Sequence, residues 1–137
     1  MRVILDTNVF ISGVFFAGPP YRILEGWKAG KVQLVLSHKI LGEYQRVGDK
    51  LAEQFPGVDL RPMLELVTMN AEIFSDQIIP EPVCEDPEDD KFIACALASG
   101  CRVIVSGDKH LLKVSGFGGI RVIRPRAFVD QYLSVGG

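Results

Sequence analysis

Apolar residues fall in short runs, separated by stretches in which they recur at helical spacing. The runs within Val3–Leu5, Val32–Leu36, Gln77–Ile79, Arg102–Val105 and Arg121–Arg124 predict strands. Their centres are continuously apolar rather than alternating, which implies burial on both faces, as in a parallel sheet. Between them the pattern predicts helices over Asn8–Phe16, Tyr21–Lys28, His38–Leu51, Leu60–Phe74 and Asp90–Ser99, a short turn over Asp108–Lys113, and a last helix from Pro125 to about Val135. Strand and helix alternate throughout, so the expected fold is α/β: a three-layer α/β/α sandwich around a central five-stranded parallel sheet. Right-handed crossovers set the hand of each connection but leave the strand order open.

Local signals support these elements. Gly18-Pro19-Pro20 suits the entry to a helix. Ser37 is placed to cap the helix at His38, and Asp59 the one at Leu60. Gly100 marks a helix C-terminus. In the His38 helix, Ile40, Tyr44, Val47 and Leu51 form an apolar stripe, and Glu43 borders it. Pro80, Pro82 and Pro87 make the segment before Asp90 an extended loop.

Composition narrows the class. At 137 residues, 47% hydrophobic and 23% charged, the chain reads as one domain, 1–137, with a full core. No apolar run approaches the roughly 20 residues of a membrane span. Asp6 and Asn8 interrupt the first apolar stretch, so it reads as a strand rather than a signal peptide, and a cytoplasmic location is expected. Cys84, Cys95 and Cys101 lack disulfide or zinc-knuckle spacing and read as reduced thiols, Cys95 in the core and Cys84 exposed in its loop. A net charge of −2 argues against indiscriminate nucleic-acid binding.

The candidate chemistry lies in four acids, each expected just past a strand: Asp6, Glu43, Asp90 after Ile78-Ile79, and Asp108. In an open parallel sheet the carboxyl ends of the strands line the ligand crevice. Carboxylates gathered there need a counter-charge, and Mg²⁺ or Mn²⁺ is the hard cation that prefers oxygen ligands. This predicts a metal-dependent enzyme acting on an anion, a phosphodiester above all. Setting the four acids aside leaves a mildly positive remainder for phosphate contacts. Each acid alone could be a helix cap; the combination on one sheet edge is what is specific. Thr7 and Asn8 are placed to orient Asp6, and Ser106 lies beside Asp108. His38 and His110 are isolated, and no Ser–His–Asp constellation is evident.

The segments Val3-Ile4-Leu5-Asp6-Thr7-Asn8, the Glu43 helix, Asp89-Asp90-Lys91-Phe92-Ile93-Ala94-Cys95-Ala96-Leu97 and Val103-Ile104-Val105-Ser106-Gly107-Asp108 resemble those of PIN domains, in particular the toxin half of toxin–antitoxin pairs. The resemblance implies a single-strand-specific, Mg²⁺- or Mn²⁺-dependent ribonuclease that self-associates as a homodimer, with a cognate antitoxin protein as a partner. It implies Asp6, Glu43, Asp90 and Asp108 as catalytic metal ligands, with Ser106 where the family more often has threonine. The run Glu88-Asp89-Asp90 leaves the third acid ambiguous by spacing, and the resemblance selects Asp90. Two other enzyme-type folds fit less well. A haloacid-dehalogenase-like phosphatase needs an acid where Asn8 stands. A receiver domain needs one at the end of the third strand, where the expected strand runs into Ile79-Pro80-Glu81-Pro82. The remaining alternative is a non-catalytic PIN-like module that binds RNA or a protein partner, against which the complete acid set argues.

Overall fold

The computed structural model describes residues 1–133. Its strands are β1 (Arg2–Leu5), β2 (Gln33–Ser37), β3 (Glu72–Phe74), β4 (Val103–Val105) and β5 (Arg121–Ile123). All pair in parallel, in the order β3-β2-β1-β4-β5. The helices are α1 (Thr7–Phe15), α2 (Pro19–Lys28), α3 (His38–Ala52), α4 (Arg61–Asn70), α5 (Asp90–Ser99), α6 (Lys109–Lys113) and α7 (Pro125–Phe128). A wider π turn, Val129–Leu133, continues α7, and the expected helix end at Val135 lies outside the described residues. The expected five-stranded parallel α/β sandwich is therefore present. Val3, Ile4 and Leu5 are consecutive and each at most 1% exposed, which requires cover on both faces of β1.

The third strand corrects the sequence expectation. It lies at Glu72–Phe74, not Gln77–Ile79, and α4 ends at Asn70 instead of running to Phe74. The misplacement has a physical reason. β3 is an edge strand paired only with β2 and half-buried along its length, so it lacks the apolar run of an inner strand. Ile78 and Ile79 do form such a run, but Ile78 is 90% exposed. Residues 75–86 are an irregular strap that crosses from β3 to the start of α5. Smaller shifts follow. Asp59 accepts from the Arg61 amide at 3.1 Å but sits one residue outside the α4 cap position, which is Leu60. In α3, Ile40 and Tyr44 are buried as expected, whereas Val47 faces outward.

The strand order decides where a ligand can sit. Connections leave β1 toward β2 and return to β4 on its other side, so the topological switch lies between the carboxyl ends of β1 and β4. The Asp6 amide donates to the Val105 carbonyl at 2.9 Å, which sets the Asp6 and Ser106–Asp108 loops side by side. Receiver domains use the order 2-1-3-4-5. With the third strand relocated, Asp76 does follow it closely, but β3 lies at the sheet edge, so strand order now excludes that fold.

The α1–α2 contact depends on Gly13. A Cβ there would stand 2.8 Å from the Pro20 carbonyl oxygen and 2.7 Å from Leu24 Cδ1. Backbone cannot yield as a side-chain tip can. Gly13→Ala is expected to destabilise the protein by about 1–3 kcal/mol, the usual cost of overpacking. Urea unfolding checks this as a lower midpoint at unchanged slope.

Candidate active site

Asp6 follows β1 as the N-cap residue of α1, and the residue is only 6% exposed. The fully buried Ser106 hydroxyl donates to Asp6 Oδ2 at 2.6 Å and accepts from the Asp108 amide at 2.9 Å. Ser106 thus ties the first and fourth acids together across the switch point. Asp108 caps α6, accepting from the His110 amide at 2.7 Å. Burial holds the Asp6 carboxyl above its ordinary pKa range. The Ser106 hydrogen bond opposes that shift, and the negative fields of Asp108 and Glu43 add to it.

Glu43 reaches the same region from α3. The buried Tyr44 beside it donates its hydroxyl to the Leu5 carbonyl and stacks on Phe10 at 4.2 Å, fixing α3 against the end of β1. One Glu43 oxygen accepts from the Thr7 hydroxyl and the other from the Lys91 ammonium. Lys91 also contacts Glu88 at 3.2 Å, and its side chain is 10% exposed. Thr7 therefore positions Glu43 rather than the Asp6 carboxylate. Asn8 is exposed and makes no hydrogen bond to these acids among the described residues.

The acidic run before α5 divides into different environments. The Asp90 carboxylate accepts from the Cys84 amide at 2.8 Å and the Val83 amide at 3.3 Å. It holds the strap against the start of α5. Asp89 behaves otherwise. Its carboxyl is pushed up to about 6, first by burial and then by Asp108, Asp86 and Asp6, with His110 opposing. Its Oδ2 is buried and has no hydrogen-bond partner. Asp89 is thus the acid of this run that shares the field of Asp6 and Asp108 while keeping an unspent oxygen. Helical spacing leaves the choice between Asp89 and Asp90 open, because Phe92 through Ala96 are all buried and give α5 no one-sided pattern.

Two neighbours complete the site. His110 Nδ1 stands 2.8 Å from Glu85 Oε2 without hydrogen-bond geometry, and Lys113 lies 3.6 Å from the other Glu85 oxygen. Cys84 is 5% exposed, contrary to the expectation of an exposed thiol. Burial, followed by Asp90, pushes its thiol up to about 12, which leaves it unreactive at neutral pH.

Among the described residues no three carboxylate, imidazole or thiol groups form a ready-made ion cage. The donor chemistry nevertheless fits a hard divalent cation: all the groups are carboxylates, Asp6 and Asp89 are both raised by burial first and by acidic neighbours after it, and one Asp89 oxygen is uncommitted. Glu43 could join only by releasing Lys91. No helix among the described residues is long and apolar enough to cross a membrane.

A family profile described as "PIN domain" matches residues 2–110, from β1 into α6, a span that holds Asp6, Glu43, Asp89, Asp90 and Asp108. The "Uncharacterized protein MJ1680" of Methanocaldococcus jannaschii is 30% identical over 149 aligned positions, covering 96% of this chain and 92% of the relative. The chain belongs to the PIN-domain family, whose members are in general nucleases.

Proposed function

We propose that this single-domain protein is a metal-dependent endoribonuclease that hydrolyses single-stranded RNA in the cytoplasm. Asp6, Asp89 and Asp108 would hold Mg²⁺ or Mn²⁺, Glu43 completes the acidic set, and Asp90 anchors the strap. The observation that carries the reading is the Asp6–Ser106–Asp108 unit at the switch point, with the uncommitted Asp89 carboxylate in the same field. A bound divalent cation there supplies a lowered pKa to a water molecule and charge neutralisation to the scissile phosphate. The chain does the rest. Ser106 fixes the Asp6 carboxylate, Thr7 and Lys91 hold Glu43, and Asp90 secures the segment that presents Asp89. The test is cleavage of unstructured RNA in Mg²⁺ or Mn²⁺, abolished by EDTA. A PIN-like module that binds RNA or a partner without cutting it would bind equally and leave the RNA whole. The phosphatase reading is disfavoured by Asn8, which is exposed and no acid.

The toxin role rests on the sequence resemblance, and a small adjacent reading frame encoding a DNA-binding antitoxin would support it. A homodimer is part of the same reading. Phe15, Phe16 and Phe55 form an aromatic cluster, with Phe16 and Phe55 edge-to-face at 5.3 Å. Phe16 and nearby Tyr21 each remain 45% exposed. Sedimentation at micromolar concentration is expected to show a species of twice 15.1 kDa that Phe16→Glu splits; a wild-type monomer rejects it.

A further inference from the structure

Beside the acidic cluster runs a groove of about 510 Å³, bounded by the first turns of α3, the strap and the start of α5. Its size suits a nucleotide-sized ligand. The groove's acids are already satisfied by the protein. Asp76 accepts from the Lys39 amide at 2.9 Å, Asp90 from Val83 and Cys84, and Glu88 contacts Lys91. Two of its cations are not. The Lys39 ammonium and Arg46 guanidinium are exposed and pair with no acid among the described residues. Gly42 lies one turn before Arg46, and a Cβ there would stand 3.6 Å from Arg46 Nη1, so the guanidinium lies back along the groove wall. Lys91 lines the groove and also holds Glu43, which joins the groove to the acidic site. Ile78 and Ile79 supply an apolar border, with Ile78 90% exposed and awaiting cover.

We infer that this groove receives the RNA strand next to the cut, with Lys39 and Arg46 binding backbone phosphates and Ile78 and Ile79 covering a base. The inference rests on the ribonuclease reading for the identity of its ligand. No Phe, Tyr or Trp lines the groove and His38 is the one aromatic ring among its lining residues, so its hold is on the backbone more than on base identity.

The test is fluorescence anisotropy of a labelled single-stranded octaribonucleotide with the whole protein in EDTA, across a series of salt concentrations. The Lys39→Ala/Arg46→Ala protein is expected to bind roughly tenfold or more weakly. Its log K against log salt slope should fall by about 1.4, since each lost single-strand phosphate contact removes about 0.7. Arg22→Ala/Lys31→Ala, which removes equal charge outside the groove, should leave the slope unchanged. Equal binding by the groove variant, an equal loss in the control, or no binding by the wild type each overturns the inference. Unchanged binding in a variant of a wild type that cuts RNA in Mn²⁺ overturns the groove alone. Groove-dependent binding by a wild type that cuts no RNA upholds the groove and removes the ribonuclease reading instead.

Discussion

Asp6→Asn and Asp108→Asn will each lower RNA cleavage in Mg²⁺ or Mn²⁺ on the order of a hundredfold or more, at least the upper end of what losing a mere supporting partner of a metal ligand costs. The fold should survive both changes. Asparagine at position 6 keeps an acceptor for the Ser106 hydroxyl and removes a charge that burial, Asp108 and Glu43 already disfavour. Thermal unfolding of metal-free Asp6→Asn should therefore match or exceed wild type. The products should carry 5′-phosphate and 3′-hydroxyl ends. The site's own side chains exclude other nucleophiles: the Ser106 hydroxyl is fully buried and committed, Thr7 is buried against Glu43, and the Cys84 thiol is held protonated. On the proposed reading the attacking group is then water and not the RNA's own 2′-hydroxyl. End-labelled RNA resolved by gel distinguishes the outcomes. Cleavage that persists in EDTA, or 2′,3′-cyclic phosphate ends, would falsify the metal-hydrolysis reading.

The inner sheet was legible because β1, β2 and β4 are buried on both faces, and burial leaves an unmistakable apolar run. β3 was misplaced because an edge strand needs only a partly apolar sequence, while the exposed Ile78-Ile79 imitates a core strand. The site showed the same division. Asp6 follows buried β1 directly and Asp108 lies three residues past the end of buried β4, so the sheet sets where both stand. Glu43 was placed by helical spacing beside Tyr44, though its two partners, Thr7 and Lys91, were not foreseen. The different surroundings of Asp89 and Asp90 come from how a proline-rich strap docks onto α5, through backbone amides at Val83 and Cys84 which no side-chain pattern records.

That docking gives a sharp contrast between adjacent residues. Asp89→Asn is expected to abolish calorimetric Mn²⁺ binding, whereas Asp90→Asn should retain it. Their stabilities should part as well. Asp90→Ala leaves the Val83 and Cys84 amides without their charged acceptor, a loss of about 1–3 kcal/mol. Asp89→Asn relieves a burdened carboxylate, so the metal-free variant should melt above wild type. The pH dependence has a definite sign. The Asp89 carboxyl titrates at about 6 in the fold and near 4 when unfolded. Between these values the folded wild type holds more protons than the unfolded chain, so its stability falls as pH rises. The advantage of Asp89→Asn is therefore complete above about pH 6 and disappears as pH drops toward 4. Melting curves across that range, without metal, measure it directly. If Asp90→Asn instead loses Mn²⁺ while Asp89→Asn binds it normally, the third metal-holding place belongs to Asp90, and Asp89 is a half-buried acid of the turn with no part in holding the ion.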